Sequence, residues 1–321
     1  MKKTLSVIIP AYNEEENIEH TAGVIGGILK EAGIPYELLF VDDGSRDRTW
    51  ELIERLSDED GSIRGLKFSR NFGKEGALFA GLNACVGDGA VFLDCDLQHP
   101  PELIPQMVSL WEQGFEVVEA VKADRGKESP LYRLFAKGFY RMMKNSSDVN
   151  LDRASDYKLL DRKAIEALKE MPERLTFFRA LSSWIGFRTA QVEFTVAPRA
   201  AGKTKWSFKK LFRFALNNIT SFTSLPLQLI TGMGVLFLLI AAVFGIQTLV
   251  RYFSGTAQEG FSTVILLILI TGSFLMLGLG VIGYYMSKIY EEIKFRPRYI
   301  VSVDTKNKNG KEHKQKTEKE N

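Results

Sequence analysis

The sequence predicts an α/β domain built on a mainly parallel sheet, followed by a two-helix transmembrane hairpin. Three observations carry this. Short apolar runs alternate with helical stretches through the first third of the chain. Polar residues, carboxylates prominent among them, follow those runs. From Leu225 to Tyr285 the chain is predominantly apolar, with Arg251 and Glu259 its only charged residues. At 321 residues the chain exceeds one typical domain and falls short of three.

The elements follow in order. Leu5–Ile9 is a short strand run. It is too brief for the apolar core of a signal peptide, and glutamates follow at once. A helical stretch runs from Glu14 to Glu31, and Glu37–Val41 is the next strand. A helix then begins near Asp47, with Asp47 and Thr49 at its start. Ile63–Phe68, a helix over Lys74–Val86, and Ala90–Leu93 continue the series. Strands separated by helices of this length indicate a parallel sheet covered on both faces. Such sheets bind ligands beyond the carboxyl ends of their strands. Pro10-Ala-Tyr-Asn-Glu14, Asp42-Asp43-Gly44-Ser45 and Asp94-Cys95-Asp96 stand at those ends.

Leu229–Val250 and Phe261–Tyr285 carry no charge, and each is long enough to cross about 30 Å of hydrocarbon. Lys203, Lys205, Lys209, Lys210 and Arg213 precede them, and Lys288, Lys294, Arg296 and Arg298 follow. The loop between carries Arg251 alone among basic residues. The excess of positive charge outside the hairpin puts both flanks, and both termini, in the cytoplasm. Gly232, Gly234, Gly278, Gly280 and Gly283 would let the two helices, or helices of neighbouring chains in a homo-oligomer, approach closely. Phe208, Leu211, Phe212, Ala215 and Ile219 share one helical face, as in a helix lying along a lipid surface. The organisation is therefore a cytoplasmic domain over 1–205 and an interfacial helix over 206–224. Two membrane helices follow within 225–287 (about 229–250 and 261–285), then a basic flank and tail over 288–321. From Ser302 the tail has little to bury and reads as disordered.

Net charge is +3, too small to argue for a nucleic-acid partner. Cys85 and Cys95 have no metal-binding spacing and point to a reducing compartment. Chemistry concentrates elsewhere. Asp94 and Asp96, at the end of an apolar strand, can hold a hard divalent cation such as Mg²⁺ or Mn²⁺. They would leave coordination positions for phosphate oxygens and water. Asp42 and Asp43 fit hydrogen bonds to a base or ribose, and fit a turn with a helix cap equally well. Arg70 and Lys74 bracket the opening of a helix, where two cations and the helix amino terminus suit a diphosphate. Ala197–Thr204 matches the loose form of a phosphate-binding loop. Its proline, its arginine, its single internal glycine and the lack of a later strand ending in aspartate before the membrane helices exclude that reading. What remains is a cationic loop, Arg199, Lys203 and Lys205, where a lipid phosphate would arrive at the membrane edge.

Five stretches together carry a resemblance: Pro10-Ala-Tyr-Asn-Glu, Val41-Asp-Asp-Gly-Ser, Ser69-Arg-Asn-Phe-Gly-Lys-Glu, Leu93-Asp-Cys-Asp-Leu-Gln-His-Pro and Ser155-Asp-Tyr-Lys-Leu-Leu-Asp-Arg. The chain resembles family 2 glycosyltransferases of GT-A (Rossmann-like) fold. Among them it is most similar to the polyisoprenyl-phosphate branch of dolichyl-phosphate mannose synthase and the bactoprenol glycosyltransferases. The resemblance implies that Pro10, Tyr12, Glu14, Asp42 and Asp94 contact the nucleotide. Asp94, Asp96 and Gln98 would serve the metal–diphosphate region, Asp156 would lie beside the reacting centre, and Arg199 and Lys205 would hold phosphate. Thr204 stands where the family usually has serine, and keeps the hydroxyl. The Gln-x-x-Arg-Trp motif of processive polysaccharide synthases is absent.

The expected activity is transfer of a hexose, from UDP-glucose or UDP-N-acetylglucosamine among other donors, to undecaprenyl or another polyisoprenyl phosphate, with inversion. The lipid-linked sugar would serve cell-envelope glycosylation. Asp96, Asp156 and Arg199 are the expected catalytic residues. Arg70, Lys74 and Gln98 join the donor set, and Lys203 joins Arg199 and Lys205 at the acceptor. A transferase acting on another lipid or a polysaccharide, and a membrane-tethered nucleotide-sugar-binding regulator, are the competing readings.

Overall fold

The computed structural model describes residues 2–122, 155–171, 178–194, 225–254 and 260–306. The chain divides into a sheet-bearing unit and a helical unit. In the first, β1 (Leu5–Ala11), α1 (Ile18–Glu31), β2 (Tyr36–Asp42), α2 (Thr49–Glu59), β3 (Ile63–Phe68), α3 (Lys74–Ala84) and β4 (Gly89–Phe92) alternate as the sequence predicts. There follow α4 (Ile104–Glu112), β5 (Val117–Lys122), β6 (Lys158–Asp161), α5 (Arg162–Glu170), α6 (Phe178–Trp184) and β7 (Thr189–Phe194).

Among the described residues the sheet has eight strands, ordered β7-β5-β6-β4-β1-β2-β3 and then β8 (Val301–Asp304). The β1–β2, β1–β4, β2–β3 and β5–β7 pairs are parallel, and β4–β6, β5–β6 and β3–β8 are antiparallel. β1 is central and buried on both faces, which is why Leu5, Val7, Ile8 and Ile9 form an unbroken apolar run. On α1, Ile18, Ala22, Ile25 and Leu29 recur at helical spacing and are all buried. α3 is buried from Gly76 to Leu82, and Gly81 lies so close to the sheet that a Cβ there would collide with Ile8.

Two expectations need correction. The first helix starts at Ile18, not Glu14, after a turn at residues 15–17. The N–H groups of Asn13, Glu14 and Glu15 donate to Ser45 Oγ, Thr49 Oγ1 and Asp47 Oδ2, locking the β1–α1 loop to the β2–α2 loop. The second concerns the tail from Ser302. Val301–Asp304 instead adds an antiparallel strand to β3, and Thr305 is buried. Arg64 forks onto Asp304 at 3.0 and 2.7 Å, and Tyr299 stacks on Phe68 at 5.3 Å. Arg298, counted above with the basic flank, donates to the Met171 carbonyl at 2.8 Å.

The helical unit contains α7 (Leu225–Phe253) and α8 (Phe261–Ile293), both longer than their uncharged cores. They touch where the Phe237 and Phe274 ring centroids lie 4.2 Å apart. Their spans Ile230–Gln247 and Ile270–Ile293 are long and apolar enough to cross a membrane, and none of either is buried. A soluble core helix would hide such side chains. The expected interfacial helix over 206–224 lies outside the described residues.

Candidate active site

The strand order reverses beside β1, with β2 and β3 on one side and β4 on the other. Loops leaving β1 and β4 diverge there, and such a switch point opens a crevice at the strands' carboxyl ends. Pro10 and Tyr12 leave β1 into it, Asp42 ends β2, Lys74 opens α3, and Asp94, Asp96 and Gln98 follow β4. Asp156 lies two residues before β6, with Tyr157 between.

Lys74 is the hinge of the site. Its ammonium lies 2.6 and 2.9 Å from the two oxygens of Asp94 and 3.0 Å from Oδ2 of Asp156. Arg179, on α6, grips Asp156 from the other side, with Nε 3.0 Å from Oδ1 and Nη2 3.0 Å from Oδ2. The result is an alternating row: Asp94, Lys74, Asp156, Arg179. Burial by itself would raise the Asp156 pKa, but Lys74 and Arg179 outweigh it and hold the carboxyl well below the usual range. Burial likewise acts to lower the Lys74 pKa, and Asp156 and Asp94 reverse the sign. Both groups are charged at neutral pH.

Adjacent carboxylates divide their work. Asp43 accepts from the Phe72 N–H at 2.6 Å and the Gly73 N–H at 2.9 Å, fixing the loop that delivers Lys74. Gly44 is obligatory beside it: its φ is +67°, and a Cβ would stand 2.6 Å from the Arg70 carbonyl carbon. Asp42 is fully buried, and its Oδ1 accepts from the Ser45 N–H at 2.9 Å. Its Oδ2 is buried without a hydrogen-bond partner among the described residues, and burial raises its pKa. A buried acceptor left open costs roughly 1–3 kcal/mol, a cost that a ligand's N–H or O–H would remove.

Around the Asp-x-Asp, Asp96 Oδ1 accepts from the Gln98 N–H at 3.2 Å. His99 Nδ1 stands 3.7 Å from Asp94 Oδ2, its ring packed against Tyr157 and Phe194. Glu14 hydrogen-bonds Asn17 at 2.6 Å; burial first, then the charges of Asp96, Asp47 and Asp94, raise its pKa. Tyr12 leaves 42% of its surface open. Arg70 stands apart from the row, its guanidinium lying 4.2 Å over the Phe72 ring. No group of three or more candidate metal ligands occurs among the described residues. The all-oxygen pair Asp94 and Asp96 still fits a hard cation that takes its remaining ligands from water and substrate phosphates. Arg199, Lys203 and Lys205 lie outside the described residues.

Sequence reasoning missed Arg179 and Glu75. Glu75 accepts the Phe178 N–H at 2.8 Å, and burial, with the Asp156 charge second, pushes its pKa up to about 7. A signal for Arg179 existed: it is the only charge between Arg174 and Arg188, and a lone charge in an apolar stretch needs a partner.

Residues 6–169 match the model of glycosyl transferase family 2. This chain belongs to that family. A bactoprenol glucosyl transferase homolog of Escherichia coli K12 is 36% identical over 92% of this glycosyltransferase and 98% of its own length. The bactoprenol glucosyl transferase of Shigella phage SfII is 36% identical over 92% and 97%. A glycosyltransferase of Synechocystis is 37% identical over 93% and 94%. Among solved structures, glucosyl-3-phosphoglycerate synthase of Mycobacterium tuberculosis with Mn²⁺ and uridine-diphosphate-glucose matches at a TM-score of 0.47. It is 23% identical, over 68% of this chain and 77% of that one. The sheet of this glycosyltransferase, mostly parallel with mixed edges, is the GT-A-like fold of its family.

Proposed function

We propose that this glycosyltransferase moves a hexose from a nucleotide-sugar to a polyisoprenyl phosphate at the cytoplasmic membrane face, with inversion and with a divalent cation. The observation that carries the reading is the row Asp94–Lys74–Asp156–Arg179 at the switch point, in a chain whose relatives include bactoprenol glucosyl transferases. Two unburied apolar helices supply the membrane.

Asp42, with its open acceptor, receives a hydrogen bond from the base or ribose, and Tyr12 offers a flat face beside it. Asp94 and Asp96 hold the cation, which would neutralise the departing diphosphate. Lys74 stands beside that charge and stabilises it as it develops. Phosphate acceptors are already ionised at neutral pH, so the attack on the anomeric carbon needs no strong base. Asp156, held below the usual carboxylate range, is a weak base, and its role is to orient Lys74 and the reacting groups. Arg199, Lys203 and Lys205 are assigned to the acceptor phosphate.

The test is incubation of the purified protein with undecaprenyl phosphate and a panel of sugar nucleotides. The expected product is a single hexose on the lipid phosphate, formed with Mg²⁺ or Mn²⁺ and lost in excess chelator or in Asp96→Asn. Transfer to diacylglycerol or a growing polysaccharide, or donor binding without transfer, overturns the acceptor assignment.

A further inference from the structure

Lys158, the first residue of β6, has no exposed surface at all. A lysine in that position must find partners for its charge and its three donors. It finds them on two elements. On β5, directly opposite in the strand register, Glu119 Oε1 lies 2.6 Å away. On α6, Ser182 Oγ lies at 2.8 Å, Ser183 Oγ at 3.3 Å and the Arg179 carbonyl at 3.5 Å. Ser183 also reaches Glu119, at 3.4 Å.

α6 has only seven residues, too few to hold a fixed pose by its own hydrogen bonds. Its first residue is seated by the Phe178 ring against Phe92, 4.4 Å between centroids, and by the Phe178 N–H on Glu75. Rotation about that anchor would swing the next side chain, Arg179, away from Asp156. Lys158 is two residues beyond Asp156, so α6 meets this short stretch of chain twice: Arg179 grips Asp156, and Ser182, Ser183 and the Arg179 carbonyl meet Lys158.

We propose that Lys158 and Glu119 form a positioning pair that fixes α6, so that Arg179 meets Asp156 and Asp156 in turn meets Lys74. The inference rests on the assignment of that row to the transfer reaction. Lys158 and Glu119 are both buried, and the pair acts through Arg179. Buried ion pairs are seldom retained for stability, since well-packed apolar residues in their place are often neutral or better. Here the pair specifies a position.

The test follows from that contrast. Lys158→Met alone leaves Glu119 buried and uncompensated, and it can fail to fold. The informative variant is Lys158→Met with Glu119→Met, which keeps volume and removes both charges. We expect it to melt within a few degrees of the parent and to bind nucleoside diphosphate within about threefold. Its kcat for transfer should fall tenfold or more. Amide exchange over 178–184 should accelerate while that of β1 and α3 stays at parental rates. In an Arg179→Ala background the same double substitution should cost little further activity, because the pair acts through Arg179. Parental kcat with parental exchange overturns the proposal, as does a loss fully additive with Arg179→Ala. The exchange measurement needs no substrate. Faster exchange of α6 in a protein whose parent transfers no sugar would therefore count against the assigned reaction and leave the tether standing.

Discussion

Glu75 and Asp156 are neighbouring carboxyls whose surroundings drive them apart. Asp156 has two cations; Glu75 has a backbone N–H and burial. With its folded pKa near 7 against an ordinary 4.5, Glu75 favours the fold while it is protonated. That contribution is fully present below about pH 4.5 and is lost as pH rises through 7. Asp156 has the opposite sign: its contribution is present above the ordinary aspartate range and lost only in strong acid. Between pH 5 and 8 Glu75 is therefore the group of the two that titrates. Glu75→Gln keeps an oxygen for the Phe178 N–H and removes the charge. Its melting temperature should exceed the parent's by several degrees at pH 8, and the two should converge below pH 5. A constant difference across that range would place the pKa of Glu75 elsewhere.

At the scale of elements, β1 to β4 were legible because each strand is an apolar run and each loop after it is polar. Their boundaries fall within a few residues of the observed ones. β5 and β6 were not, since short strands with Glu119 and Lys158 inside them lack an apolar signature until the two charges are seen to pair. In the candidate site, Lys74 and Asp94 were singled out from strand and helix ends and Asp156 from the resemblance, and the structure brings these three together. Arg179 depends on α6 folding back over β6, a contact that no local spacing encodes. β8 was hidden for another reason: its residues are half-exposed and its partner β3 lies far away in sequence. Thr305 is the measure of how firmly it is attached. Its buried hydroxyl accepts from the Gly65 N–H at 3.0 Å and from Ser57 Oγ at 2.9 Å. Thr305→Val leaves that N–H unpaired and should cost about 1–3 kcal/mol in urea denaturation, with Thr305→Ser much closer to the parent. A valine variant as stable as the parent would mean that β8 is frayed in solution.

For the whole molecule, β8 constrains the membrane topology proposed for α7 and α8. The residues before α7 and those after α8 join the same sheet: Ser69 donates its N–H to the Ile300 carbonyl at 3.0 Å, and Arg64 forks onto Asp304. A single crossing would leave β8 on the opposite side from β3 and abolish both contacts, along with the Tyr299 stack on Phe68. Only an even number of crossings keeps them, and the proposed hairpin of α7 and α8 would supply two. In that proposed topology, Lys288, Lys294 and Arg296 would put this end in the cytoplasm. Cysteine labelling in intact cells can test this against a quiet background. Cys85 and Cys95 are both buried, and burial raises both thiol pKa values, that of Cys95 to about 12. Thr256→Cys, in the loop between the helices, should react with a membrane-impermeant maleimide from outside. Lys306→Cys should react only after the membrane is opened. Labelling of position 306 in intact cells, or protection of position 256, would overturn the proposed topology; the β8–β3 pairing would fall only if the two ends of the hairpin lay on opposite sides of the membrane.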